Sequence, residues 1–122
     1  MNLINTNQTI YKFLEQTLGV PVWVEDSVPI NAKFPYGVFT LNNEAFTMEG
    51  LLQVRIFTEE RSVKPVVDLA DKLSAAVGEG GALLRNGNGY IWLYKGSPFA
   101  QLEPTLEEGL KAVYINLLYR NV

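Results

Sequence analysis

The sequence predicts an α+β domain: a mainly antiparallel sheet with two helices packed on it, in the order α-β-β-β-α-β-β-β. Three observations carry this. Apolar residues over 63–77 recur at helical spacing. Several short runs alternate apolar and polar residues, the period of a half-buried strand. Asn86-Gly87-Asn88-Gly89 stands between two such runs and marks a hairpin, because Asn and Gly tolerate positive φ. The chain has 122 residues, enough for one core and too few for two, so residues 1–122 are read as a single domain.

The first element is a helix. Ile10, Leu14 and Leu18 fall four residues apart, flanked by Tyr11 and Phe13, and Gly19 supplies a C-terminal stop. Asn5 is placed to cap its start, with Gln8 three residues on as in a capping box. A valine-rich strand follows at Val20–Val24, with Val20, Val22 and Val24 on one side and Trp23 on the other. Asp26–Pro35 holds two prolines and no periodicity, and reads as an ordered loop. Tyr36–Leu41 and Leu51–Thr58 alternate, the second with Leu52, Val54 and Ile56 opposite Gln53, Arg55 and Phe57. Turn residues Asn42, Asn43 and Glu44 open the link between them, which suggests a hairpin.

The second helix is expected over Ser62–Val77, with Ser62 as N-cap, Pro65 in the first turn and Gly78 at the end. Its core stripe reads Val63, Val66, Val67, Ala70, Leu73 and Val77, opposite Lys64, Asp68, Asp71 and Lys72. Ala82–Arg85 and Tyr90–Lys95 form the strands on either side of the Asn-Gly turn. Gly96–Glu108 carries Pro98 and Pro104 and reads as a long irregular loop. Leu110–Val122 fits a helical stripe, and Thr105-x-x-Glu108 fits a cap. It also alternates, and its β-favouring side chains after Gly109 favour a long strand.

Composition narrows the chemistry. The chain has no cysteine and no histidine. Disulfides and thiolate ligands are therefore impossible, and the usual neutral-pH base and commonest metal ligand are missing. A metal would need oxygen ligands only. The formal net charge is −3 and the Lys and Arg residues are scattered, so specific nucleic-acid binding is not expected. The first residues lack the basic start and apolar run of a secretory signal, and no apolar stretch nears the ~20 residues of a membrane span. A soluble, intracellular protein without membrane contact is the expectation.

The acidic pairs Glu25-Asp26, Glu59-Glu60 and Glu107-Glu108 invite an acid–base reading. Neighbours on an extended chain point to opposite sides, however, and each pair ends an element, where solvated charge is ordinary. Gly78-Glu79-Gly80-Gly81 follows a helix, whereas a phosphate loop must precede one, so it reads as a helix stop and hinge. No catalytic, cofactor-binding or metal-binding residue is assigned, no cofactor is expected, and the chain is not read as an enzyme. The aromatic ladder Tyr90, Trp92 and Tyr94 is the one candidate surface. Such rings can stack single-stranded bases, but only Arg85 and Lys95 lie nearby in sequence, and Tyr and Trp are enriched at protein interfaces. These three residues are assigned as candidate protein-interface residues.

Several segments together resemble one known group. A helix runs into GVPVWVEDSVP. FPYGVFTLNN follows, then LLQVRIFTEE leading into SVKPVVDLADKLSAAV, and EEGLKAVYINLLYRNV closes the chain after a long loop. In this layout the chain resembles the small tail-terminator and tail-to-head joining (tail completion) proteins of long-tailed phages and prophages. The likeness is one of arrangement over nearly the whole chain, without a diagnostic motif. It implies a structural protein of the virion tail or neck, assembled in the host bacterial cytoplasm. It further implies a homo-oligomeric ring, usually a hexamer, that caps the tail tube and meets tail-tube and head-connector proteins. The residues themselves add an argument about edges: an open sheet leaves a strand unpaired, and Leu110–Val122, with only Lys111 and Arg120 as charges, is a candidate for pairing between subunits. The alternative reading is a monomeric adaptor that holds a peptide or oligonucleotide on the aromatic strand face.

Overall fold

The structure, a computed structural model, describes residues 3–43, 49–104 and 107–122. Its elements follow the expected order: α1 (Leu3–Leu18), β1 (Val22–Val24), β2 (Tyr36–Asn43), β3 (Glu49–Thr58), α2 (Lys64–Val77), β4 (Ala82–Asn86), β5 (Gly89–Leu102) and β6 (Lys111–Asn121). The six strands form one sheet in the spatial order β1-β2-β3-β6-β5-β4. The fold is α+β as expected, but the sheet is mixed. β1 lies parallel to β2, pairing Val22 with Gly37 and Val24 with Phe39, while the other pairs are antiparallel. Parallel neighbours need a crossover of a dozen residues or so, and the loop after Val24 provides it. That loop is ordered: the Ser27 amide and hydroxyl both donate to the Val24 carbonyl, at 3.0 and 2.6 Å.

One sheet face carries the core. Phe39, Leu52, Val54, Ile56, Ile91, Leu93, Ile115 and Leu117 are wholly buried there, together with Val66 and Leu73 of α2 and Ile10 and Leu14 of α1. Alternation explains the strand side of this set, because every second residue faces the helices. α2 lies over β3, β6 and β5, and α1 touches α2 and both edge strands, β1 and β4, tying the margins of the sheet together. Gly50 lies under the ring of Tyr119, its cross-strand partner, where a Cβ would collide with the ring. Burial pushes the Tyr119 phenol above the usual tyrosine range.

Several boundaries differ from expectation, each for a local reason. α1 starts at Leu3, so Asn5 lies inside it instead of capping it; the buried stripe reaches back to Thr6 and anchors an extra turn. β1 is shorter than Val20–Val24, and Val24, at the sheet margin, is exposed while Val22 is buried. Asn42 and Asn43 do not turn but continue the ladder opposite Leu51 and Gly50; Glu44 lies outside the described residues. In α2 the buried stripe is Val66, Leu69, Ala70, Leu73 and Val77. Val63 stands at the N-cap and is exposed, and Val67 is only partly buried. Ser62 is not the N-cap residue, yet its hydroxyl accepts the Lys64 amide at 3.1 Å, a capping contact from one position earlier. Gly78 ends the helix with φ 72°, its amide bonded to the Ser74 carbonyl.

Two corrections are larger. The span read as a loop from Gly96 is mostly strand: β5 runs to Leu102, with a register shift between Lys95 and Ala100 that absorbs Pro98. Proline has no amide to give a ladder, and a bulge is where its loss costs least. Thr105 lies outside the described residues. The final run is the long strand expected, but it is central: β6 pairs with β3 on one side and β5 on the other, so it cannot offer a free edge. The edges are β1 and β4.

Candidate assembly surface

The sheet face opposite the helices is built from the alternate residues of the same strands. β3 presents Gln53, Arg55 and Phe57, and β6 presents Tyr114 and Asn116 directly across from Arg55 and Gln53. Arg55 is the centre of this face. Its guanidinium donates two hydrogen bonds to the Glu103 carboxylate, at 2.7 and 2.8 Å, and lies 4.9 Å from the Phe57 ring centroid and 5.7 Å from that of Tyr114. The bond to Glu103 is the main reason that the guanidinium pKa lies above its ordinary value. A two-pronged pair of this kind fixes orientation as well as charge. Tyr36 continues the aromatic row, 5.3 Å from Phe57. Gln53 donates weakly to Asn116, which in turn donates to the Pro98 carbonyl in the bulge.

Beside this row is a concavity of about 450 Å³. Tyr36, Phe57, Tyr114 and Arg55 line it, with Glu25 and Asp26 on the wall that the crossover loop provides. Glu25 accepts the Thr40 hydroxyl at 2.8 Å. The other acidic pairs do not converge with it. Glu59 and Glu60 line a separate pocket of about 170 Å³ with Thr58 and Pro65, and Glu108 lies 3.7 Å from Arg61. Among the described residues, no group of three or more His, Cys, Asp or Glu side chains is arranged to hold a metal ion. No helix among them is long and apolar enough to cross a membrane.

The ladder singled out in the sequence lies on β5, on this same open face. Tyr90 and Trp92 are 39% and 36% exposed and Tyr94 is partly buried. Trp92 and Tyr94 are tilted against each other at 4.7 Å. Each ring is tied down: the Trp92 indole donates to the Gly80 carbonyl at 3.0 Å, Tyr94 donates to the Glu49 carboxylate, and the Arg85 guanidinium lies 5.5 Å over Tyr90. Burial first, then Glu49, raises the Tyr94 pKa. Lys95, the other cation near in sequence, points to the helix side, where it donates to the Ser74 hydroxyl at 2.8 Å. The ladder's cations are therefore Arg85, over Tyr90, and Arg120 of β6, which lies across from Trp92 and adjoins Tyr94.

The Arg55–Glu103 centre is not singled out by the sequence. Half of it, the outward set Gln53, Arg55 and Phe57, is legible from alternation. Glu103 is not, because its segment reads as loop.

No family model matches the chain. No curated protein matches it either. Solved structures share its fold, among them the following two. One is a chain of the virion of a native gene transfer agent particle, with a TM-score of 0.61 and 15% identity over 88% of this chain and 83% of that one. The second carries no functional description, and has a TM-score of 0.68 and 14% identity over 100% of this chain and 96% of the other.

Proposed function

We propose that this chain is a structural virion protein, a tail-terminator or head–tail joining subunit. It forms a ring, a hexamer, with copies of itself at the end of the tail tube, and meets tail-tube and head-connector proteins there. The observation that carries the reading is the fold likeness to a chain of a gene transfer agent virion, extending over 88% of this chain. The surface chemistry supports it. Fixed aromatic rings and an oriented Arg–Glu pair on an uncovered sheet face are what a protein interface uses, since Tyr, Trp and Arg dominate interface energetics. An acidic subunit also suits a ring that lets DNA through without gripping it. The protein has no enzymatic role in this reading.

Native mass spectrometry across a concentration series, with and without a tail-tube partner, tests it. The expected result is a closed oligomer of 13.7 kDa subunits whose population rises with concentration or partner. A chain that stays monomeric throughout, partner included, removes the ring and leaves the adaptor reading ahead.

A further inference from the structure

An edge strand is the least satisfied part of a sheet, because one row of its amides and carbonyls has no neighbouring strand. β4 is such an edge. It has few of the usual safeguards: no proline, and Arg85 as its only charge. Asn86 and Gly89 face each other across the two-residue turn and close it as a bonded pair. Antiparallel bonding alternates, so the amides and carbonyls of Leu83 and Arg85 point away from β5. The Leu83 side chain is 60% exposed.

A groove of about 480 Å³ runs beside this edge, with α1 as its other wall. Thr9, Lys12, Phe13 and Gln16 line that wall, at the spacing that puts them on one side of the helix. At one end the Thr9 hydroxyl donates to the Asn86 side chain at 2.9 Å and ties the helix to the turn. Phe13 and Leu84, both half-buried, give the groove an apolar floor. Lys12 and Arg85 are exposed, one on each wall, and among the described residues no Asp or Glu lines the groove. Arg85 is held by its own hairpin, through the Gly87 carbonyl at 3.1 Å and the Tyr90 hydroxyl at 3.5 Å. A guanidinium has five N–H donors, so it keeps some to give.

Three features therefore meet at one place: unpaired backbone, an apolar floor and charge of one sign. A helix would leave the backbone unpaired. A nucleic acid would use the charge and leave Phe13 and Leu84 wet. An extended polypeptide uses all three, by the mode in which a segment adds to a sheet edge.

We propose that the α1–β4 groove binds an extended, acidic segment of a partner protein, which adds to the sheet as a further strand beside β4. Its side chains alternate. Those turned to the helices are apolar and pack on Phe13 and Leu84; those turned to the open face are acidic and meet Arg85, with Lys12 holding a carboxylate at the rim. This surface adds a partner to the structural reading above and does not depend on the ring.

The experiment uses the full chain. The probe is a fluorescein-labelled peptide, Val-Glu-Val-Glu-Val-Glu-Val, followed by anisotropy and by amide hydrogen exchange read by NMR. The comparison probes are the same residues in two blocks, an alternating Val-Lys peptide, and an oligothymidylate of about eight nucleotides. The alternating acidic peptide should bind about tenfold or more tighter than each of the others. It should also slow exchange at the amides of Leu83 and Arg85. Lys12→Glu combined with Arg85→Glu should reverse the preference in favour of the Val-Lys peptide. Leu83→Pro removes an outward amide and no ladder bond, so it should abolish binding with the circular dichroism spectrum unchanged. Leu83→Glu keeps the backbone and should weaken the acidic peptide by about tenfold through like charge.

Equal binding of the blocked peptide would show that no strand is added. A basic peptide or oligothymidylate bound as tightly as the acidic one would overturn the choice of partner. Exchange at Leu83 and Arg85 that slows with the protein's own concentration, and not with peptide, would make the occupant a second copy and end the proposal. The ring is judged by subunit mass, so it stands or falls separately from all of these.

Discussion

On the helix side of the sheet, Leu52, Val54, Ile56, Ile115 and Leu117 are wholly buried. Their immediate neighbours on the same strands, Gln53, Arg55, Tyr114 and Asn116, remain partly open to solvent. The two faces share a backbone and a hydrogen-bond ladder, and differ only in which parity of residue they present. The covered face is held by the removal of apolar surface from water, worth about 1.5–3 kcal/mol for each large side chain. The open face is held by a few directed contacts, chiefly Arg55 with Glu103, each of much smaller worth. One face therefore makes the fold, and the other is left free to vary in chemistry without endangering it. A surface of that kind is where function can be placed.

The comparison is broken most severely from the covered side. Val66, on the face of α2 against the sheet, is fully buried. Val66→Asp should destabilise the protein by about 3 kcal/mol or more, since it buries a charge with no partner. Urea denaturation followed by circular dichroism measures this. A midpoint equal to that of the wild type would mean that this helix face is not in the core.

A smaller loss is expected at Gly50. A methyl group there would collide with the ring of Tyr119, which is itself packed in the core. Gly50→Ala should cost about 1–3 kcal/mol, the usual penalty for overpacking. Gly19, whose added Cβ would meet nothing, is unsuited as a control because its φ is 69°. Ser74→Ala in α2 serves instead as a conservative change, removing only the Lys95 contact. If Gly50→Ala melts with the wild type, the close approach of Tyr119 to the backbone is not what the ring depends on.

The smallest effect belongs to the open face. Arg55 and Glu103 have side chains 41% and 19% exposed, so water screens much of their attraction. Arg55→Ala should cost only about 0.5–1 kcal/mol of stability. A double-mutant cycle with Glu103→Ala isolates the pair. A coupling of several kcal/mol would show that the open face contributes to the fold as strongly as the covered one, and the contrast between the faces would fail.

Much of this contrast is legible in the order of the residues. Leu52, Val54 and Ile56 alternate with Gln53, Arg55 and Phe57, and a strand's side chains change sides at every residue, so the two faces of β3 follow from alternation alone. The Asn86–Gly89 turn is equally local. Gly87 takes φ 61° at the first central position, and the strands on either side pair as that turn dictates. The stripe of α2 is legible apart from its first residues and Leu69, because a helix's buried arc is set by its neighbours as well as its period.

The sequence by itself determined the order of the elements and, outside the Gly96–Leu102 part of β5 that reads as loop, their types, because those depend on contacts within a few residues. Only the tertiary structure decided strand neighbours. β6 pairs across more than fifty residues with β3, β1 lies parallel to β2, and β5 survives Pro98 by shifting register against β6. Such pairings are chosen by the joint burial of many side chains that lie far apart in the chain. No local pattern records that choice. Arg55 and Glu103 meet for the same reason: the strand pairing brings the two segments together, although 48 residues separate them.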